Sequence, residues 1–303
     1  MNQPRVSVMM PCYNARESLP WALASLLAQT YEDWELVLVD DGSTDHPEEI
    51  VEQAADSRIR LIRLPENRGR GHARQVALDN ARGEYIAMLD ADDWMYPERI
   101  ERQVGVLSQE PALALVSAGM AIVDPANDLV GIRLTGDGLP QGPFRGAIAP
   151  VAHAPSMYRK SARGTLSFDP AMRMGEDQDF LLYLLHSQRY LVLTDVLYVY
   201  AELGSVTAAK SAEAQRFERS RLRKHVRADP GAALTAIALT WGKQGVYTLA
   251  SALRLDERVI SNRSREATAR ELERFDRARA QVASTVFARF DIELASREDR
   301  RAN

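Results

Sequence analysis

Apolar runs that end abruptly in charge recur along the first hundred residues of this chain. Arg5-Val6-Ser7-Val8-Met9-Met10 reads as a strand that Pro11 stops. Trp34 to Val39 reads as a second strand and runs into Asp40-Asp41-Gly42-Ser43-Thr44-Asp45. Ile59 to Leu64 is a third, and Glu84 to Leu89 is a fourth that ends in Asp90-Ala91-Asp92-Asp93. Helical patterns fill the gaps. Glu17 to Gln29 puts Leu19, Leu23, Leu26 and Leu27 on one face, and Pro47 to Ala54, Gly71 to Ala81 and Pro97 to Leu107 follow. Gly83 punctuates the third of these helices. Strands regularly separated by helices predict an α/β fold with a doubly wound, mostly parallel (mixed) sheet flanked by helices.

Beyond residue 105 the alternation loosens. Leu113 to Ser117 predicts a further strand, Glu176 to Leu185 a helix, and Leu191 to Tyr200 a strand. The stretch from Asp124 to Pro155 is rich in Gly and Pro and predicts loops with short strands, suited to shaping a binding pocket or a lid. From Ser211 onward the pattern is helical, broken at Asp229-Pro230-Gly231 and between Gly242 and Gly245. Arg254 to Arg289 predicts one or two long amphipathic helices, and Arg297 to Asn303 a frayed end. The expected organisation is therefore residues 1–105, residues 106–210, and a helical C-terminal extension over 211–303.

The two acid-tipped strands carry the candidate chemistry. Successive strands of a parallel sheet present their carboxyl ends on one edge, where ligands bind in open α/β folds. Crowded carboxylates repel, and a divalent cation relieves the repulsion. Hard oxygen ligands suit Mg2+ or Mn2+, and such an ion would in turn bind an anion such as a diphosphate. The bland alternatives are a solvated acidic loop after the fourth strand and, at Asp45, a helix N-cap ahead of Pro47.

Composition narrows the field only a little. The 303 residues are 46% hydrophobic and 26% charged, an ordinary globular balance. Cys12 is the single cysteine, so an intramolecular disulfide and a cysteine-based metal site are both excluded. Neither a signal peptide nor a run of roughly 18 uncharged apolar residues is visible, which favours a cytoplasmic location. The net charge of −4 hides an asymmetry: residues 1–210 carry 19 basic and 29 acidic side chains, a net −10, and residues 211–303 carry 19 and 13, a net +6. A basic third of this kind fits an anionic membrane surface, a nucleic acid, or a merely solvated helical face.

Five motifs in order resemble the glycosyltransferase family 2 enzymes of the GT-A fold. They are Pro11-Cys12-Tyr13-Asn14, Asp40 to Asp45, Asn67-Arg68-Gly69 with Ala73-Arg74, Asp90-Ala91-Asp92-Asp93, and Gly175-Glu176-Asp177-Gln178-Asp179. The resemblance covers roughly residues 5–200. It implies inverting transfer of one sugar from a nucleoside diphosphate sugar, most often a UDP-sugar, to a glycan or lipid-linked acceptor in polysaccharide or glycoconjugate assembly. It implies nucleotide-sugar contacts by Pro11, Tyr13, Asn14, Asp40, Asn67, Arg74, Asp90, Ala91 and Asp92. Asp92 with Asp90 would hold Mn2+ or Mg2+, and Asp177 beside Glu176 would be the general base. The family writes Ala-Arg-Asn where this chain has Ala73-Arg74-Gln75, a departure at residue 75. His153, Trp94 and Arg159 are further candidates for the acceptor or diphosphate, against core roles for the histidine and the tryptophan. Arg68 and Arg70 are either phosphate-neutralising or ordinary exposed arginines.

Processive members carry Gln-X-X-Arg-Trp and membrane helices. Gln188-Arg189-Tyr190 has the wrong spacing, so a non-processive enzyme is expected. The competing readings are a sugar nucleotidyltransferase, which wants a Gly-rich basic loop where Pro11 to Ala15 stands, and a catalytically silent nucleotide-sugar-binding protein. An aspartyl phosphatase would carry its acidic motif after the first strand, not the fourth. The basic C-terminal region, with Trp241, Tyr247 and Leu249, is expected to lie on a membrane surface or form a dimer interface; no nucleic acid is expected.

Overall fold

A computed structural model of the protein describes residues 4–145, 148–170, 172, 174–201, 211, 214–215, 217–219, 222–223, 230–253 and 263–291. The first half follows the strand and helix alternation closely. Strands β1 (Val6–Cys12), β2 (Trp34–Asp40), β3 (Ile59–Arg63) and β4 (Tyr85–Met88) are separated by helices α1 (Leu19–Leu27), α2 (Pro47–Ala54) and α3 (Arg70–Asn80). All seven residues of β1 and of β2 are buried, as a parallel strand covered on both faces requires. Their parallel register pairs Met9 with Val37 and Cys12 with Asp40.

The second half adds short and reversed strands: β5 (Trp94–Met95), β6 (Leu113–Val123), β7 (Leu129–Arg133), β8 (Pro140–Gln141), β9 (Met157–Arg159) and β10 (Arg189–Tyr200). Helices α4 (Arg99–Gln109), α5 (Lys160–Arg163) and α6 (Glu176–Leu185) lie among them, and α7 (Pro230–Ala252) and α8 (Ala269–Arg289) follow. One mixed sheet runs in the order β3-β2-β1-β4-β9-β6-β10-β5, with β7 on β6 and β8 on β10. The parallel ladders β3-β2-β1-β4 make one side, and β9 enters antiparallel to both β4 and β6. Strand β6 runs past the predicted Ser117 to Val123, because Ala118 to Val123 stays apolar enough to be buried throughout.

The pleat sends alternate residues to opposite core layers. Val8 and Met10 of β1 face the layer that holds α1, α4 and α8. Met9 faces the layer that holds α3 and α6 through Ala73, Ala77, Phe180 and Leu184. Of the predicted helix over 254–289, residues 254–262 lie outside the described residues. Its described part, α8, starts at a capping box: the Thr268 hydroxyl accepts from the Glu271 amide, and the Glu271 carboxylate accepts from the Thr268 amide. From there Phe275, Ala278, Val282 and Val286 recur at helical spacing and bury against the core. Thr268→Ala is expected to lower stability by about 1 kcal/mol. Urea denaturation followed by circular dichroism checks this; an unchanged midpoint would refute it. Among the described residues no helix is long and apolar enough to cross a membrane.

Candidate active site

The carboxyl ends of β1, β2 and β4 meet the start of α3 around a cleft of about 480 Å3. Pro11, Tyr13, Asn14, Asn67, Asp90, Ala91 and Asp92 line it, as do Cys12, Ala15, Ser18, Asp41, Gly69, Arg70, Ala73 and Tyr200. Local backbone bonds build the floor. Asn14 adopts a left-handed φ of 49°, its amide donates to Ser43 Oγ at 2.9 Å, and its own Oδ1 accepts from the Thr44 amide at 2.9 Å. The loop after β1 is thereby laced to the Asp-Gly-Ser-Thr turn after β2. Gly42 has φ 74°, and a Cβ there would stand 2.6 Å from the Glu66 carbonyl carbon, so the turn tolerates only glycine.

The two aspartates of that turn do different work. Asp41 faces the cleft loop: its Oδ1 accepts from the Arg68 amide at 2.9 Å and its Oδ2 from the Gly69 amide at 2.8 Å. Asp40 is fully buried; its Oδ1 accepts from the Ser43 amide at 2.9 Å, and its Oδ2 stands 3.4 Å from Arg63 Nε. Asp40 therefore shapes the turn, and of the two it is Asp41 that lines the cleft. The sequence pairs the two residues without showing which one the pleat turns inward.

A charge network stands behind the cleft. Arg74 is 2% exposed. Its Nη1 donates to Glu176 Oε1 at 2.8 Å and its Nη2 to Asp90 Oδ1 at 3.1 Å. Arg74 is thus a buried bridge between the acidic motif and the start of α6. Arg70, one helical turn earlier, lines the cleft with half its side chain exposed and also donates from Nε to Glu176 Oε1 at 2.8 Å. Glu176 thus ties two guanidiniums together. Its other oxygen is buried and has no hydrogen-bond partner among the described residues.

Asp177, the next residue, has its Oδ1 accepting from the Gln178 amide at 2.8 Å. Burial pushes its carboxyl upward, but Arg74, His153 and Arg70 outweigh it, and the net shift is downward. Burial, followed by Arg74, pushes His153 itself down to about 3, which leaves its ring neutral at working pH. His153 is 1% exposed, packs edge-on to Phe168 and Phe180, and has no hydrogen-bond partner at either ring nitrogen among the described residues. It does not reach the cleft lining, so the expected acceptor or diphosphate contact is corrected to a packed position beside the network.

Trp94 and Arg159 are corrected in the same way. Trp94 is 2% exposed, donates from Nε1 to Asn127 Oδ1 at 3.2 Å, and stacks among Trp21, Tyr96 and Phe275. Arg159 pairs with Tyr85 at the opposite, amino end of β4 and donates to the Leu107 and Glu110 carbonyls at the end of α4 and to the Leu113 carbonyl at the start of β6. The third aspartate of the acidic motif is also structural. Asp93 accepts from the Tyr198 hydroxyl at 2.7 Å and from the Ala201 amide at 2.9 Å. It thereby draws the end of β10 to the cleft and delivers Tyr200, a lining residue with no local sequence signal.

Of the acidic motif, Asp90 and Asp92 line the cleft, as Asp41 does from the turn after β2. Asp92 is open to the cleft, yet the desolvating walls and the Asp90 charge push its carboxyl upward. Among the described residues no group of three or more His, Cys, Asp or Glu side chains forms a metal cage. Two neighbouring carboxylates, one of them held above its ordinary range by burial and then by the other's charge, fit a hard cation that takes its remaining ligands from phosphate oxygens.

The fold and cleft define the GT-A class. A mannosyltransferase of Pyrobaculum calidifontis, solved with GDP-Man and Mn2+, superposes with TM-score 0.60 at 19% identity over 93% of this chain and 88% of that one. S. aureus TarS 1–349, solved with UDP-GlcNAc, gives TM-score 0.55 at 21% identity over 93% of this chain and 81% of that one. The family model for glycosyl transferase family 2 matches residues 7–161, and the chain belongs to that family. The putative glycosyltransferase EpsE of Bacillus subtilis is 37% identical over 169 residues, 54% of this chain and 59% of that protein. The UDP-Glc:alpha-D-GlcNAc-diphosphoundecaprenol beta-1,3-glucosyltransferase WfgD of Escherichia coli is 38% identical over 107 residues, 35% of this chain and 42% of that protein. The matched part thus spans roughly half the length of these relatives.

Proposed function

We propose that this protein is an inverting, non-processive glycosyltransferase that moves one sugar from a nucleoside diphosphate sugar to an acceptor hydroxyl. The observation that carries the reading is a cleft lined by Pro11, Tyr13, Asn14, Asp90, Asp92 and Arg70, with Arg70 bonded to Glu176, the residue before Asp177, behind it. The volume of about 480 Å3 lies in the range of small-molecule sites. Residues 1–105 would bind the donor, with Pro11, Tyr13, Asn14, Asp41 and Asn67 against the nucleoside. Residues 106–210 would bind the acceptor.

Mn2+ or Mg2+, held by Asp92 with Asp90, would supply Lewis-acid stabilisation to the leaving diphosphate. Arg70 adds a second positive charge on the same side. The acceptor oxygen attacks the anomeric carbon as the bond to the phosphate oxygen breaks. The nucleoside diphosphate leaves with the electron pair, and Asp177 takes the hydroxyl proton. Asp177 suits this role because its arginine neighbours keep it ionised.

UDP-sugar is the favoured donor, in line with the UDP-GlcNAc bound to TarS and the UDP-Glc donor that WfgD is named for. A lipid-linked glycan, as WfgD's name states for that enzyme, is the favoured acceptor class, which would place the protein at a membrane surface in the synthesis of a cell-surface polysaccharide. A panel of UDP-, GDP- and dTDP-sugars with Mn2+ or Mg2+ tests the reading. Donor-selective release of nucleoside diphosphate is expected, reduced about 10²-fold or more in Asp92→Ala. Release of pyrophosphate from nucleotide triphosphate and sugar phosphate would instead establish a nucleotidyltransferase. Donor binding without turnover in the presence of lipid-linked and free glycan acceptors would leave a silent binding protein.

A further inference from the structure

Helix α7 is built inside out. Its 23 residues carry one charged side chain, Lys243. Leu234, Leu239, Trp241, Val246 and Leu249 are each more than half exposed, as is Leu253 just past the helix end. At about 100° per residue these six positions fall within an arc of roughly 160°. Thr240, on the opposite side, is the one fully buried side chain among the helix residues whose burial is described, at 3% exposure. Beside it Gln244 accepts from Arg219, whose guanidinium lies 3.9 Å from the Trp241 ring. A helix packed on its own protein shows the reverse pattern, apolar inward and polar outward. A contiguous apolar face of this kind marks an interaction surface.

Charge selects the occupant. The segment before the helix, residues 214–229, holds six arginines and lysines against two acids. An apolar helical face preceded in the sequence by basic residues matches a bilayer that carries anionic headgroups. A second copy of the chain would instead bring a second such basic segment into the same assembly. The helix is not apolar enough to span a membrane, so it would lie in the interface plane. We infer that the Leu239–Val246–Leu249 face of α7 is a membrane-docking surface that inserts into the headgroup boundary of anionic bilayers. The inference goes beyond sugar transfer and does not rest on it.

Flotation of the full chain with phosphatidylglycerol–phosphatidylcholine vesicles, and with phosphatidylcholine alone, tests it. The protein is expected to float with the anionic vesicles and to partition less into the neutral ones. Leu239→Asp/Val246→Asp is expected to reduce anionic binding at least tenfold and to leave donor hydrolysis unchanged. Both substituted positions are exposed, so folding is preserved. Absence of wild-type flotation would overturn the inference. So would a double variant that floats as well as wild type, since the basic segment would then suffice. Light scattering that showed a dimer dissolved by the double variant, with no vesicle binding, would assign the face to a second copy instead.

Discussion

Asp177→Asn is expected to lower kcat by roughly 10²–10⁴-fold while leaving the donor dissociation constant within a factor of a few. The substitution keeps the shape and the hydrogen bond from the Gln178 amide, and removes only the ability to take a proton. Burial alone would raise this carboxyl, but Arg74 and Arg70 carry fixed positive charge and win, so it sits below the ordinary aspartate range. The active form is the ionised one. A depressed value therefore keeps Asp177 competent as pH falls through about 5, and any acid limb from this group lies below the ordinary 3.9. Between pH 5 and 8 the kcat of the wild type should show no step from Asp177. Asp177→Glu should retain part of the rate. Steady-state kinetics at saturating donor, with donor binding measured separately, decides the matter; a fully active Asn variant would remove Asp177 from the chemistry.

Arg74→Leu should be the most destabilising of these substitutions, by about 3–5 kcal/mol. Arg74 bridges Glu176, whose side chain is fully buried, and Asp90. Removing the guanidinium leaves a buried carboxylate with Arg70 as its one remaining partner among the described residues, and that arginine is half exposed. Arg74→Lys keeps the charge but cannot place two donors on two carboxylates at once, so an intermediate loss is expected. Adding Glu176→Gln to Arg74→Leu removes the stranded charge and should recover part of the stability. Urea denaturation of the set measures this. A loss below about 1 kcal/mol for Arg74→Leu would mean that Arg70 alone supports Glu176. The same variants probe the site, because Asp90 and Asp177 both lie beside the bridge.

The sheet half built from β1 to β4 was legible because its signals are local. Apolar runs of strand length, Leu19, Leu23, Leu26 and Leu27 at helical spacing, and the Gly42 turn each follow from residues within a dozen positions. The antiparallel entry of β9 between β4 and β6 was not, since Met157-Tyr158-Arg159 is too short to announce its partners. Trp94 shows the limit at the site. A tryptophan after an acidic motif reads as a sugar platform, but Trp21 and Phe275 come from distant segments to enclose it.

By itself, then, the sequence determined that two strands end in aspartates on one edge of a parallel sheet, and that Asp90, Asp92 and Asp177 stand in an order suited to one chemistry. Periodicity and turn residues act over short range, and that information is complete in the chain. The tertiary structure decided which carboxylate does what. The pleat turns Asp41 rather than Asp40 toward the cleft loop, Arg74 disappears behind Arg70 to meet Glu176 102 residues later, and Asp93 brings Tyr200 in from β10. It also turned the apolar side of α7 outward. Each of these depends on side-chain direction and on contacts between segments far apart in the chain, where the free energy of pairing a buried charge or covering an apolar face is decided.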